Sequence, residues 1–194
     1  MKKIFLSAIA IAVLFWGAYH VSGMDDSKKT MMPESSVETR AAAETRAAVF
    51  AGGCFWCTES DFEKIEGVIE AISGYTGGEA ANPSYEQVSS GDTGHIEAVK
   101  VIYDPSKLTY QDLLFVFWRH IDPTDPGGQF VDRGKQYRSA IFYADQDQKR
   151  LAEASRAELV KAGPFSDPIV TEILPLGTFF TAEKYHQDYY KKNP

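Results

Sequence analysis

The sequence predicts an α/β (α+β) fold: a two-layer sandwich with a mixed β-sheet, packed helices and a ferredoxin-like core. Two observations point there. From Ala47 onward, strand and helix patterns alternate, but without the even spacing of a βαβ repeat. The 194 residues are 44% hydrophobic and 24% charged, which is the composition of a globular domain with appendages.

The elements read off in order. Ala47 to Ala51 is a short buried strand that ends in Gly52-Gly53. Phe55 to Ile65 has a helical stripe in which Phe62 and Ile65 face inward, and Gly67 ends it. Val68 to Gly74 is a strand, and 75–92 is a loop rich in Gly, Asn and Pro. Glu97 to Tyr103 is a strand stopped by Asp104-Pro105. Thr109 caps a helix that runs to His120, with Asp112 at its third position. Residues 122–136 form a loop long enough to suggest function. Tyr137 to Tyr143 is a strand. Asp145 caps a helix that ends at Ala162 before Gly163-Pro164. Ile169 to Leu174 is the last strand, and the tail from Ala182 to Lys191 reads as helix.

The first 46 residues read differently. Lys2 and Lys3 precede an apolar run of about 15 residues, short of the ~20 that span a bilayer. Residues 1–23 are expected to be a signal peptide or an uncleaved anchor. Residues 24–46 are a polar linker with a local duplication, Glu38-Thr39-Arg40-Ala41-Ala42 and Glu44-Thr45-Arg46-Ala47-Ala48, too polar to order itself. The expected location is outside the cytoplasm, in the periplasm or cell envelope. Residues 47–194 form the folded domain. The net charge of −7 and the lack of a basic patch argue against nucleic-acid binding. Nothing resembles an exposed heptad, so a monomer is expected.

The only two cysteines are Cys54 and Cys57. They form a Cys-x-x-Cys after paired glycines, where a strand gives way to a helix. Helix-start N–H groups and the helix dipole favour a thiolate at Cys54. Cys57, one turn on, lies ~5–6 Å away at Cβ, near enough for a disulfide after small adjustment. The pattern suggests an attacking and a resolving thiol. Two other readings stay open: a pair of inert buried cysteines, and a zinc site, although His95, His120 and His186 show no ligand spacing.

Five motifs then carry a resemblance: Gly53-Cys54-Phe55-Trp56-Cys57, Gly74-Tyr75-Thr76-Gly77-Gly78, Asn82-Pro83-Ser84-Tyr85, Gly91-Asp92-Thr93-Gly94-His95-Ile96-Glu97-Ala98 and Gln136-Tyr137-Arg138-Ser139. In this order they resemble the A-type peptide methionine sulfoxide reductases, from Val49 to the last residue. The resemblance implies that Cys54 attacks the sulfoxide sulfur and that Glu97 protonates the sulfoxide oxygen, which requires a carboxyl raised by burial. Tyr85 and Tyr137 would bind that oxygen. Phe55 and Trp56 would receive the substrate methyl group, and Asp132 would help organise the site. The family is selective for the S epimer. His95 reads as a structural hydrogen-bonding residue and His186 as packing.

Many family members keep a resolving thiol near the C-terminus. Residues 181–194 hold none, and Cys57 stands where many members have glycine. The resemblance therefore implies a direct Cys54–Cys57 disulfide, recycled by thioredoxin or another dithiol. It implies no bound cofactor and no metal. The partners would be oxidised proteins carrying methionine sulfoxide and a thioredoxin-like reductant. Two competing readings are a thioredoxin-like disulfide oxidoreductase, although the sequence shows no later cis-proline element, and an exported module that binds methionine-rich segments.

Overall fold

The computed structural model describes residues 44–193. The expected leader over 1–23, and the linker over 24–46 except for its last three residues, lie outside the described residues.

The chain begins with β1 (Arg46–Gly52), α1 (Phe55–Glu63), β2 (Val68–Thr76), α2 (Tyr85–Ser89) and β3 (Ile96–Tyr103). It continues with α3 (Tyr110–Arg119), a two-residue pair β4 (Gly128–Gln129) and β5 (Asp132–Arg133), and a 3-10 turn (Lys135–Tyr137). It closes with β6 (Ser139–Tyr143), α4 (Gln146–Ala162), β7 (Glu172–Pro175), β8 (Phe180–Thr181) and α5 (Tyr189–Lys192). The main sheet has the order β7-β6-β1-β3-β2-β8. Its four inner strands pair antiparallel as β6-β1-β3-β2, with α1 between β1 and β2 and α3 between β3 and β6. That is the expected ferredoxin-like core. The parallel pairing of β7 on β6 makes the sheet mixed.

Both faces of β1 are covered, which explains why Ala47 to Ala51 reads as an unbroken apolar run rather than an alternation. Ala48 and Phe50 face one core with Phe62, Leu113 and Phe117. Val49 and Ala51 face a second with Ile96, Ala98 and Phe142. Phe50 anchors the first core: its ring stacks on Phe62 at 5.0 Å and on Phe117 at 5.2 Å. Burial of a side chain of this size is worth about 1.5–3 kcal/mol.

The structure corrects four expectations. The 75–92 loop contains α2, whose Ser84 and Gln87 form a reciprocal capping box. The last strand begins at Glu172 rather than Ile169, because the Val170 and Thr171 amides donate to the Pro123 carbonyl instead of to a neighbouring strand. The strand expected from Tyr137 begins at Ser139, after the 3-10 turn. The tail is not one helix. Ala182 N–H donates to Ser73 O, Gln187 bonds the Ser73 backbone, and Asp188 takes φ 53°, so only Tyr189–Lys192 is helical.

The caps read from the sequence are present. Asp145 caps α4, which ends at a left-handed Gly163. Thr109 and Asp112 exchange hydrogen bonds at the start of α3, 2.9 Å from Thr109 N to Asp112 Oδ2 and 3.2 Å from Asp112 N to Thr109 Oγ1. Thr109→Ala removes half of that exchange and is expected to cost about 1 kcal/mol in urea denaturation.

Candidate active site

The site starts at the turn between β1 and α1. Gly53 has φ +90°, a region that side chains rarely adopt, and a Cβ there would lie 2.6 Å from Gln129 Cβ. Glycine thus lets the β4–β5 hairpin close over the turn. The turn delivers Cys54 as the residue capping α1, half-buried, with Cys57 exposed one turn later. The first free amide of the helix, Phe55 N–H, donates to Glu97 Oε2 at 3.0 Å. The carboxyl that the sequence singles out therefore sits on the residue following Cys54.

Glu97 is 2% exposed, and burial pushes its carboxyl up to about 8. The Phe55 amide opposes the shift, while the negative charges of Asp132 and Cys57 add to it. At neutral pH the group is mostly a neutral acid. Tyr85 and Tyr137 are raised above ordinary phenols, first by burial and then by the charge of Glu97, so both keep their protons. Among the described residues neither hydroxyl makes a hydrogen bond, and both lie within electrostatic reach of Cys54, Glu97 and Asp132.

The two cysteines share one ionisation. The Cys54 thiol is pushed up first by its neighbour Cys57, then by burial and by the charge of Glu97, while the Cys57 backbone amide opposes this. Cys57 is drawn down to about 6 by the thiol of Cys54, with help from the Tyr190 hydroxyl and against burial. The pair therefore loses its first proton more readily than an ordinary thiol does. The helix start favours a thiolate at Cys54, and burial beside Glu97 opposes it.

Phe55 is buried and Trp56 half-buried, and their rings meet at 6.2 Å. Tyr85 stacks on Phe55 at 6.4 Å and lies 4.4 Å from the ring of His186. His186 is buried and more than packing: Trp56 Nε1–H donates to its Nδ1 at 3.0 Å, fixing the indole. Glu183 accepts from Tyr75 O–H at 2.9 Å and from Tyr85 N–H at 3.0 Å. Tyr189 lies flat on Trp56, 3.6 Å between centroids. Asp132 sits in the β4–β5 hairpin, paired with Gln129. His95 accepts from Gly78 N–H at 3.1 Å and bonds Ala80 O at 2.8 Å, which holds its glycine loop.

The structure thus brings Cys54, Cys57, Phe55, Trp56, Tyr85, Glu97, Asp132 and Tyr137 to one neighbourhood. Sequence reading passed over Glu183, Tyr189, Tyr190 and the His186 hydrogen bond. The aromatic density of Tyr185-His186 and Tyr189-Tyr190 was the available signal. Among the described residues no group of three or more His, Cys, Asp and Glu is gathered to hold a metal.

The family described as peptide methionine sulfoxide reductase matches residues 46–194. The peptide methionine sulfoxide reductase MsrA/MsrB of Vibrio cholerae is 47% identical over 193 residues, all of this chain and 50% of that protein. The chain therefore spans half the length of this relative. The MsrA of Bacillus subtilis is 55% identical over 147 residues, 76% of this chain and 83% of that protein. The solved methionine sulfoxide reductase A of Corynebacterium diphtheriae matches with a TM-score of 0.70 at 36% identity, covering 80% of this chain and 78% of that one. By sequence and by fold, the chain belongs to the peptide methionine sulfoxide reductases.

Proposed function

We propose that this chain reduces the S epimer of methionine sulfoxide in oxidised proteins, with Cys54 as nucleophile and Cys57 as resolving thiol, and that a thioredoxin-like dithiol recycles it. The observation that carries the reading is the buried, neutral Glu97 carboxyl on the amide next to Cys54. A disulfide carries no oxygen to bind, so a disulfide oxidoreductase would not need the two free phenols that accompany this acid. The charged start of the sequence, Lys2 and Lys3 before an apolar run, supports export to the periplasm or cell envelope.

The proton count closes. The sulfoxide oxygen accepts from Tyr85 and Tyr137 and takes the proton of Glu97, which makes its sulfur electrophilic. The cysteine pair carries one thiol proton at this point; Cys54 attacks the sulfur as the thiolate while the proton stays on Cys57, and a Cys54–methionine S–S bond forms. That bond and the methionine S–O bond then break as the hydroxyl passes to Cys54; the electron pair stays on the methionine sulfur, the thioether leaves, and Cys54 holds the oxygen as a sulfenic acid. Cys57 releases its proton to solvent and attacks Cys54 as the thiolate; the S–S bond forms, and hydroxide departs and takes up a proton as water. Glu97 recovers its proton from solvent. Phe55 and Trp56 form an apolar wall for the methyl group opposite the oxygen site, so that the two epimers are not equivalent.

Single-turnover chemistry tests the roles. With an excess of a racemic methionine sulfoxide peptide and no reductant, Cys57→Ser should release one methionine per chain, all from the S epimer, and Cys54→Ser none. Consumption of both epimers, or release by Cys54→Ser, would refute the assignment.

The attack step should have a bell-shaped pH profile. It rises near pH 6 as the cysteine pair loses its first proton and falls above about pH 8 as Glu97 ionises. Glu97→Gln should lose the upper limb and slow attack by roughly 10²–10⁴-fold, read by rapid quench.

Glu97 also links stability to pH. Its carboxyl is raised, so between about 4.5 and 8 the folded chain keeps a proton that the unfolded chain releases, and stability falls as pH rises through that window. Urea denaturation at pH 5 and pH 8 should show a smaller difference in Glu97→Gln than in the parent, by roughly 1–3 kcal/mol.

A further inference from the structure

The outermost residue of the site is one that the reaction above does not use. Tyr190 O–H lies 3.4 Å from Cys57 Sγ, 133 positions away in sequence. The segment that carries it is pinned to α1. Tyr189 stacks on Trp56 with the planes 6° apart, and Lys191 Nζ reaches Glu63 Oε1 at 2.7 Å and Asp188 Oδ1 at 3.1 Å. The buried carboxyl of Glu59 lies beside the backbone of Asp188 and Tyr189. These contacts carry the hydroxyl to the exposed cysteine.

We propose that Tyr190 is a positioning residue for the resolving step: its hydroxyl donates to the Cys57 sulfur and holds it, as thiolate, beside Cys54 for attack on the sulfenic acid. This rests on the reading of Cys57 as the resolving thiol. The direction of the hydrogen bond follows from acid strengths: an ordinary phenol ionises near ~10 and an ordinary thiol near ~8.5, so the sulfur ionises first and the Tyr190 O–H donates to it. The other charges facing Cys57 work against it. Asp132 on the hairpin, Asp61 on α1 and the Glu97 carboxyl are all acidic. The nearby ammonium groups are committed elsewhere: Lys191 to Glu63 and Asp188, and Lys192 to Asp188 and to the carbonyls of Lys184 and Gln187. Among the described side chains, the Tyr190 hydroxyl is the hydrogen-bond partner of Cys57. The chemistry balances without a new reactant. Cys57 sulfur is oxidised and Cys54 sulfenic sulfur reduced to the disulfide, hydroxide leaves, and the oxidant is the sulfoxide oxygen already transferred.

Tyr190→Phe tests this, because it keeps the ring that packs edge-on against Tyr189, 5.8 Å between centroids, and removes only the hydroxyl. One equivalent of methionine sulfoxide peptide is added without reductant, and thiol loss is followed from pH 5.5 to pH 9. Disulfide formation should slow roughly three- to tenfold at pH 7, and its acid limb should move up by about 0.5–1 pH unit, with parent-like rates regained at pH 9. The alkylation rate of Cys57, resolved by peptide mass mapping, should show the same shift. A parent-like pH midpoint overturns the proposal. So does an equal slowing of methionine release when Tyr190→Phe is placed in Cys57→Ser, where no sulfur remains to be held. If Cys57→Ser instead recycles with thioredoxin at the parent rate, the resolving role of Cys57 fails and this inference falls with it. A Cys57→Ser enzyme that stops after one turnover, beside an unaltered Tyr190→Phe profile, sinks this inference alone.

Discussion

One hydrogen bond, from Phe55 N–H to Glu97 Oε2, organises the site. The first amides of a helix lack partners within it, and a buried start must satisfy them with something. Here a carboxyl from the neighbouring layer does so. β3 carries Glu97 opposite Tyr75 on β2, and β1 delivers Cys54 through two glycines. The bond therefore ties helix, sheet and nucleophile together at one point. It also leaves Glu97 under-compensated: a single amide against nearly complete burial is not enough to keep the group ionised, so it stays an acid.

That same arrangement bears on the two sulfurs. A cysteine at a helix start is ordinarily a good thiolate. At Cys54 the second thiol, burial and a neighbouring carboxyl all bear on the ionisation, and one negative charge is shared between two sulfurs one turn apart. Because Glu97 is kept neutral, that charge and the acid can stand side by side. The result is a division between an inner sulfur next to the proton donor and an outer sulfur that is exposed and meets Tyr190.

The parts that were legible in the sequence are those fixed by local rules. Thr109 with Asp112, and Asp145 with Gly163, mark helix ends through neighbours three or four positions off. The continuous apolar run of β1 announced a strand covered on both faces. Gly52-Gly53-Cys54 announced a strand-to-helix turn. Where local signals were weak, the reading failed. The five residues of α2 sit amid Gly, Asn and Pro, and only Ser84 and Gln87 betray them. The tail has helical composition, yet contacts with Ser73 and a left-handed Asp188 break it. The motifs placed Cys54, Glu97, Tyr85 and Tyr137; nothing in their spacing says how completely Glu97 would be buried.

The outer wall of the site is built by residues 183–191, which lie more than a hundred positions from α1. Glu183 holds the start of α2, His186 holds the Trp56 indole, Tyr189 covers its face, and Lys191 reaches Glu63. None of these contacts follows a helical or strand period, because they join a side chain on one element to an irregular backbone on another. Closing so long a loop costs entropy that grows only slowly with length, so several modest contacts suffice to hold it. The tail is short in regular structure and dense in aromatic and charged side chains for that reason: its order comes from what it touches. Trp56 has one edge bonded to His186 and one face stacked on Tyr189, so its freedom is set by the tail rather than by α1. A substitution at either residue should therefore register at Trp56, even though both lie outside the helix that carries it.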